Sequence, residues 1–319
     1  MQMKQNSFVD NKREVLSSTA TRASNDVPFV SSFWLRIQDL LQLVKFRLSA
    51  TVVLSSLLAY LIAASGEVSL TAMLILAAGG FLTTGAANTL NQVLEKDFDR
   101  LMKRTANRPL AAGRMTISEA VLAAGFMSLF GISLLAVFNP WTAFFGTFAL
   151  VSYAFVYTPM KRVSPGAVAI GAIPGALPTL IGCVAAQGEL TWLGLTLFAI
   201  QFCWQFPHFW SIAFLGYEDY SKAGYKLVPE EEGAINLTSL GRQALAYSLA
   251  LVPLALLPAY LGATGWVSAI IVALLGFGYS YFAWRFLQVP ERKTALQLMF
   301  FSFGYIPLSL LMYWADKIV

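Results

Sequence analysis

The chain has 319 residues, of which 57% are hydrophobic, 14% aromatic and only 12% charged, with a formal net charge of +5. Soluble domains carry about a quarter charged residues. This composition, with a mean hydropathy of +0.63, excludes an ordinary water-soluble globule and points to the lipid bilayer as the main solvent.

Residues 1–33 are polar and include Asp10, Glu14 and Asp26. They lack the apolar core of a signal peptide and are too acidic for an organellar presequence, so a disordered cytoplasmic leader is expected there. Residues 34–319 read as a single transmembrane domain. Nine windows are long and apolar enough to cross a bilayer: 48–64, 70–94, 118–138, 141–157, 166–186, 190–214, 240–261, 265–284 and 295–314. Each must be helical, because unpaired backbone cannot face lipid. Pro174, Pro178, Pro207, Pro253, Pro258 and Pro307 lie inside these windows and predict kinks or breaks. Gly171 and Gly175 have the spacing of a small-residue packing face.

Charge alternates along this series. The segment before the first span and the loops 2–3, 4–5, 6–7 and 8–9 hold every lysine and arginine except Lys317. The opposite turns hold Glu67 and Glu189 and no base. The positive-inside rule then places the N-terminus and the basic loops in the cytoplasm, or in the matrix of an organelle, with the C-terminus outside. This accounts for the basic balance without a nucleic-acid partner. Acidic clusters flush with a helix end occur after span 2 and, four spans later, after span 6, which predicts a 4 + 4 + 1 plan of parallel repeats.

The first of these clusters is "NTLNQVLEKDFDRLMKRTANRPLAAGR", residues 88–114. Asn91, Glu95 and Asp99 are spaced i, i+4, i+8, which puts them on one helical face about 6 Å apart in rise, with Asp97 turned away. A column of oxygen donors suits Mg²⁺, which completes its shell with water and substrate phosphate. The bases that follow, Lys103, Arg104 and Arg108, suit phosphate oxygens. The plainer reading is an Asp99–Lys103 surface pair with the other bases serving topology alone. Carboxylates set in an apolar span favour the functional reading, because they are costly there.

His208 is the only histidine and follows Pro207 in "FCWQFPHFWSIAF". A hydrogen-bonded structural imidazole near a kink is the simpler reading; a metal ligand or proton shuttle is the alternative. Lys45 and Arg47 read as snorkelling topology signals, and Glu230–Glu232 as a solvated loop. Cys183 and Cys203 lack metal-ligand spacing and read as buried, inert thiols.

"NQVLEKDFDRLMKRTANRPL" (91–110) resembles the first aspartate-rich motif of the UbiA superfamily of intramembrane prenyltransferases. Together with "YTPMKR", "GAIPGALPTLIG", "WQFPHFW" and "DYSKAGYKLVP" it resembles the haem O synthases, or protohaem IX farnesyltransferases, over about residues 40–315. The resemblance implies an all-α polytopic membrane protein, with nine transmembrane helices bundled around a central cavity open to the cytoplasmic side. It also implies transfer of farnesyl from farnesyl diphosphate to a vinyl group of haem b, with Mg²⁺ as cofactor and a downstream haem A synthase as partner. The setting would be a bacterial inner membrane, or the mitochondrial inner membrane in a eukaryote. Matched by position, Asn91, Glu95 and Asp99 would hold Mg²⁺-diphosphate, joined by Asp219 from the second motif. Arg104, Arg108, Lys161 and Arg162 would hold the diphosphate. With haem as acceptor, a histidine at a proline break among aromatics, His208, would ligate the iron or orient the macrocycle, and Lys45 and Arg47, where they do not serve topology alone, would meet a propionate. The second motif departs from the wider pattern: four residues after Asp219 stands Ala223, which leaves its metal count open. The competing readings are a related enzyme with another aromatic or chlorin acceptor, and a transporter.

Overall fold

A computed structural model describes residues 29–318. The leader as far as residue 28, with Lys4, Lys12, Arg13 and Arg22, lies outside the described residues. The chain divides into two units, Met1–Gln42 and Leu43–Val319. Helix α1 (Phe29–Leu43), all but its last residue in the first unit, begins inside the expected leader and exposes Phe33, Trp34 and Leu40.

The second unit holds α2 (Phe46–Ala63), α3 (Leu70–Asp99), α4 (Ile117–Ala136), α5 (Pro140–Met160), α6 (Ala167–Gln187), α7 (Trp192–Leu215), the short α8 (Tyr217–Lys222), α9 (Leu237–Tyr260), α10 (Trp266–Gln288) and α11 (Arg292–Ala315). Among the described residues, eight helices are long and apolar enough to cross a membrane. The sixth expected window, 190–214, is the one not among them; it is realised as α7, 24 residues long, which Gln201, Gln205 and His208 make less apolar than the rest. Outward faces carry large apolar side chains such as Leu129, Phe130, Leu274 and Phe300, all more than half exposed, the pattern a lipid solvent demands.

The chain marks its helix ends chemically. Ser69, Thr116, Asn139, Thr191 and Asn236 each accept a backbone N–H at the start of a long helix, satisfying a donor that would otherwise be orphaned. At the end opposite the charged loops, the lone outlying base has a specific task. The Lys317 ammonium donates to the carbonyls of Leu61 and Ala64 at the C-terminal end of α2, where a cation is favoured by the helix dipole. Its neighbour Asp316 accepts from Ser268 N–H at 2.7 Å, at the N-terminal end of α10.

Four of the prolines do not break their helices: α6 continues through Pro174 and Pro178, α7 through Pro207 and α11 through Pro307. Only between Leu254 and Leu257, flanked by Pro253 and Pro258, is a helix interrupted. Gly171 and Gly175 do not form a helix–helix seam. A Cβ there would strike the Tyr157 ring and the Gln205 amide, so these glycines admit side chains. The close backbone approach is at Gly182, against the carbonyl of Ser56 on α2. Glu230–Glu231 and Ala234–Ile235 pair as a small hairpin, turned by Glu232 and Gly233 at positive φ, as a type I′ turn requires.

Seven helices (α2, α3, α4, α5, α6, α7 and α11) line a cavity of about 610 Å³, α4 through Leu135 alone. Arg104 and Asn88 stand in its lining toward the charged loops.

Candidate active site

α3 carries the first motif on its last turns, and the expected face is real. Asn91, Glu95 and Asp99 are all 5% exposed or less, whereas the Asp97 side chain is 81% exposed and pairs with Arg100 at 3.3 Å. Within the column, Asn91 Nδ2 donates to Glu95 Oε2 at 2.8 Å.

Cations from three other segments meet this column. Lys161 Nζ lies 2.8 Å from Glu95 Oε1. Arg108 Nη1 reaches both Asp99 oxygens, at 2.9 and 2.7 Å, so Asp99 pairs with Arg108 and not with Lys103. The ammonium of Lys45 donates to Asn91 Oδ1 at 2.8 Å. Lys45 therefore belongs to the site and is not a snorkelling residue. It adopts a left-handed backbone (φ 48°), which is uncommon for a side chain of this kind. Polar residues of α3 brace that turn: Asn88 Nδ2 donates to Ser49 Oγ and Gln92 Nε2 to the Leu43 carbonyl. Burial, and then the neighbouring charges of Arg108 and Lys161, hold the Lys45 ammonium well below the usual lysine range.

The end of α5 contributes through an irregularity. Ser152–Tyr157 is π-helical, and Thr158 N–H reaches the Tyr153 carbonyl. Pro159, next in line, has no N–H to give, so a regular ladder could not be completed there. The widened turn sets Tyr153 and Tyr157 in the cavity wall and lets Thr158 Oγ1 accept from Asn91 Nδ2 at 3.1 Å. Lys161 Nζ sits 4.7 Å from the Tyr157 ring centre, a cation–π contact.

The loop after α7 closes onto the same place. Lys226 N–H donates to the Lys161 carbonyl at 2.7 Å, and Tyr225 packs with Met102, Ala223 and Leu227. The Tyr225 hydroxyl is buried on the Glu95 side of the site. Burial and the nearby Glu95 charge raise its pKa above the usual phenol value. Tyr220 Oη accepts from Arg104 Nη2 at 3.4 Å, and Arg162 lies 4.3 Å over the Phe98 ring.

The remaining expected residues are placed as follows. Lys103 is exposed, and Asp219 is half-buried on α8 beside Tyr220. Among the described residues no three His, Cys, Asp or Glu side chains gather at one point, so Asp219 does not join Glu95 and Asp99 in one cluster. His208 lines the cavity, stacks on Trp204 at 5.0 Å, and its Nδ1 lies 2.7 Å from Ser302 Oγ.

This donor set suits a hard cation: Asn91 brings an amide oxygen and Glu95 and Asp99 carboxylate oxygens to one face, beside fixed cations that match phosphate. Lys45, Tyr153, Tyr157, Thr158 and Tyr225 escaped the sequence reading. "YTPMKR" holds Tyr157 and Thr158 and "DYSKAGYKLVP" holds Tyr225, whereas no motif marked Lys45 or Tyr153.

Comparison with known proteins agrees with this geometry. The UbiA prenyltransferase family profile matches residues 52–304. The chain is 42% identical over 287 residues to the protoheme IX farnesyltransferase of Cytophaga hutchinsonii, covering 89% of this chain and 99% of that one. It is 40% identical to that of Flavobacterium johnsoniae, covering 88% and 94%. In fold it is similar to a digeranylgeranylglyceryl phosphate synthase structure, with a TM-score of 0.73 at 19% identity over 88% of this chain and 98% of that one. It is also similar to a UbiA homolog from Archaeoglobus fulgidus bound to GPP and Mg²⁺, with a TM-score of 0.62 at 17% identity over 86% and 99%. Sequence and fold agree over most of the molecule: the chain belongs to the UbiA prenyltransferase family.

Proposed function

We propose that this protein transfers the farnesyl group of farnesyl diphosphate to a vinyl group of haem b, with addition of water, to give haem O. The observation that carries this reading is the interlocked column of Asn91, Glu95 and Asp99 with Lys45, Lys161 and Arg108, set beside an aromatic-walled cavity. The names of the relatives supply the acceptor.

Asn91, Glu95 and Asp99 would hold Mg²⁺, with Asp219 approaching the diphosphate from the α8 side. When bound, the ion would lower the charge on the leaving diphosphate. Lys45, Lys161 and Arg108 exchange their protein partners for phosphate oxygens, and Arg104 and Arg162 stand nearest the mouth. Lys103, exposed beside Arg104, meets the diphosphate as it enters. These fixed cations stabilise charge as it develops. The bond between farnesyl C1 and its ester oxygen breaks, and the electron pair leaves with the diphosphate. The Tyr153 and Tyr157 faces stabilise the allylic cation and exclude water. The haem vinyl π electrons form the new carbon–carbon bond. Water adds its oxygen to the resulting porphyrin-adjacent cation and releases a proton to solvent. His208 orients the macrocycle or ligates its iron. The molecule would lie in the inner membrane with its N-terminus and site on the cytoplasmic side, would cross nine times, and would supply a haem A synthase.

The test is mass spectrometry of haems from membranes containing the protein, supplied with farnesyl diphosphate. A haem heavier than haem b by farnesyl plus water is expected, with diphosphate release dependent on both haem and Mg²⁺. Unchanged haem b would defeat the acceptor assignment.

A further inference from the structure

Leu135 of α4 reaches the cavity from outside the helices that supply most of its wall. α4 starts next to the charged loop, so Leu135, 18 residues after Ile117, lies near the opposite end of the bundle. It is 1% exposed yet belongs to the cavity lining together with Gly80, Gly146 and Ile181. Two glycines make room for it. A Cβ on Gly79 of α3 would lie 3.1 Å from Leu135 Cδ2, and one on Gly146 of α5 would lie 2.5 Å from its Cδ1. Away from the lining, Leu135 packs with Tyr60, Leu76, Leu177 and Leu180 in one buried cluster.

α3 lines the cavity from Asn88 to Gly80, with Asn91 of the acidic column just outside one end and Gly79, against Leu135, just outside the other. From Asn91 to Gly79 is twelve residues, about 18 Å of helix. An extended covalent chain advances roughly 3.5 Å per three bonds, so the main chain of a farnesyl group spans roughly 13 Å and that of a geranylgeranyl group roughly 18 Å. A few ångströms at the mouth belong to the diphosphate. The remaining length accommodates three isoprene units and stops a fourth against Leu135.

We propose that Leu135, clamped between Gly79 and Gly146, is the floor of the prenyl pocket and sets the length of the donor chain. This rests on the assignment of a prenyl diphosphate donor above and adds the residue that selects among such donors. Because Leu135 borders the cavity, truncating it extends a continuous pocket instead of leaving a sealed void.

The experiment measures equilibrium binding of geranyl, farnesyl and geranylgeranyl thiolodiphosphates, with Mg²⁺, to purified wild-type, Leu135→Ala and Leu135→Phe proteins of matched monodispersity. A hydrophobic pocket discriminates single methylenes by about tenfold or more. Leu135→Ala is therefore expected to shift the farnesyl-to-geranylgeranyl affinity ratio at least about tenfold toward the longer chain. Leu135→Phe is expected to shift preference toward geranyl. Should Leu135→Phe not fold, the Ala variant alone decides, and an unchanged ratio in the folded Ala variant overturns the floor assignment. Haem product masses, recorded in parallel, separate the two readings. Chain-length selection without any farnesylated haem would overturn the acceptor and leave the floor standing. Farnesylated haem with an unaltered ratio would do the reverse.

Discussion

Each carboxylate of the α3 column is held by a cation that also suits a phosphate, so neutralising either acid removes a ligand and unbalances a pair. Glu95→Gln and Asp99→Asn are each expected to lower prenyl transfer by about 10²–10³-fold, the usual cost of one preorganised electrostatic group. Folded protein should persist, because Lys161 keeps the Tyr157 ring 4.7 Å away and Arg108 remains near the mouth. Asp97→Asn, which touches only exposed Arg100, should change the rate less than threefold or so, within the range of a surface pair. A rate assay in which Asp97→Asn is the most damaging of the three would defeat the assignment of that face. The same logic extends to Lys45: Lys45→Met should weaken farnesyl thiolodiphosphate binding, and Lys45→Arg should restore part of it. The acids were legible because a helix has one period, so spacing alone puts them on one face. Lys45 was not legible. Nothing local distinguishes a lysine opening an apolar span from a topology signal, and its role depends on Asn91, 46 positions away.

At the scale of elements, the site is assembled where α3, the π-turn closing α5 and the loop around α8 come together. The bond from Lys226 N–H to the Lys161 carbonyl ties the second acidic motif to the segment that carries the Glu95 partner. The two motifs are therefore coupled without their carboxylates touching. Asp219→Asn is accordingly expected to raise the Mg²⁺ concentration needed for half-maximal rate several-fold, or to abolish turnover. Glu231→Gln, on the exposed hairpin, should leave the Mg²⁺ titration unmoved. Coincident titrations for wild type and Asp219→Asn would remove Asp219 from the site. Apolar windows located every long helix, since only helices satisfy their own backbone in lipid. They missed the π-turn, because a local widening by one residue leaves composition unchanged while turning the side chains that follow by about 100° around the helix. They also ended span 2 at residue 94, although α3 runs on to Asp99, where Lys161, 66 positions away, balances Glu95 and Arg108 balances Asp99.

For the molecule as a whole, everything about sidedness depends on whether α7 crosses. Eight helices qualify on length and apolar composition; with α7 the number becomes odd and the termini lie on opposite sides. Two observations favour crossing. The polar groups that lower its hydropathy are turned into the protein: Gln201 Nε2 donates to the Gly175 carbonyl, Gln205 Nε2 to the Ala172 carbonyl, and His208 meets Ser302. Such groups do not pay the cost of facing lipid unpartnered. Crossing also keeps Arg242, Arg285, Arg292 and Lys293 on the same side as Lys103 and Arg104, as the positive-inside rule requires. A re-entrant α7 would put the former group opposite the latter and carry α8 away from the first motif, yet Tyr220 of α8 bonds Arg104. Cysteine accessibility in inverted and right-side-out vesicles tests this, in a protein from which Cys203 and Cys183 have been replaced by alanine. Single cysteines at Lys103, Lys222 and Arg292 should be labelled by an impermeant maleimide only from the cytoplasmic face, and one at Glu189 only from the other. Labelling of Lys222→Cys from the same side as Glu189→Cys would mean that α7 does not cross as proposed.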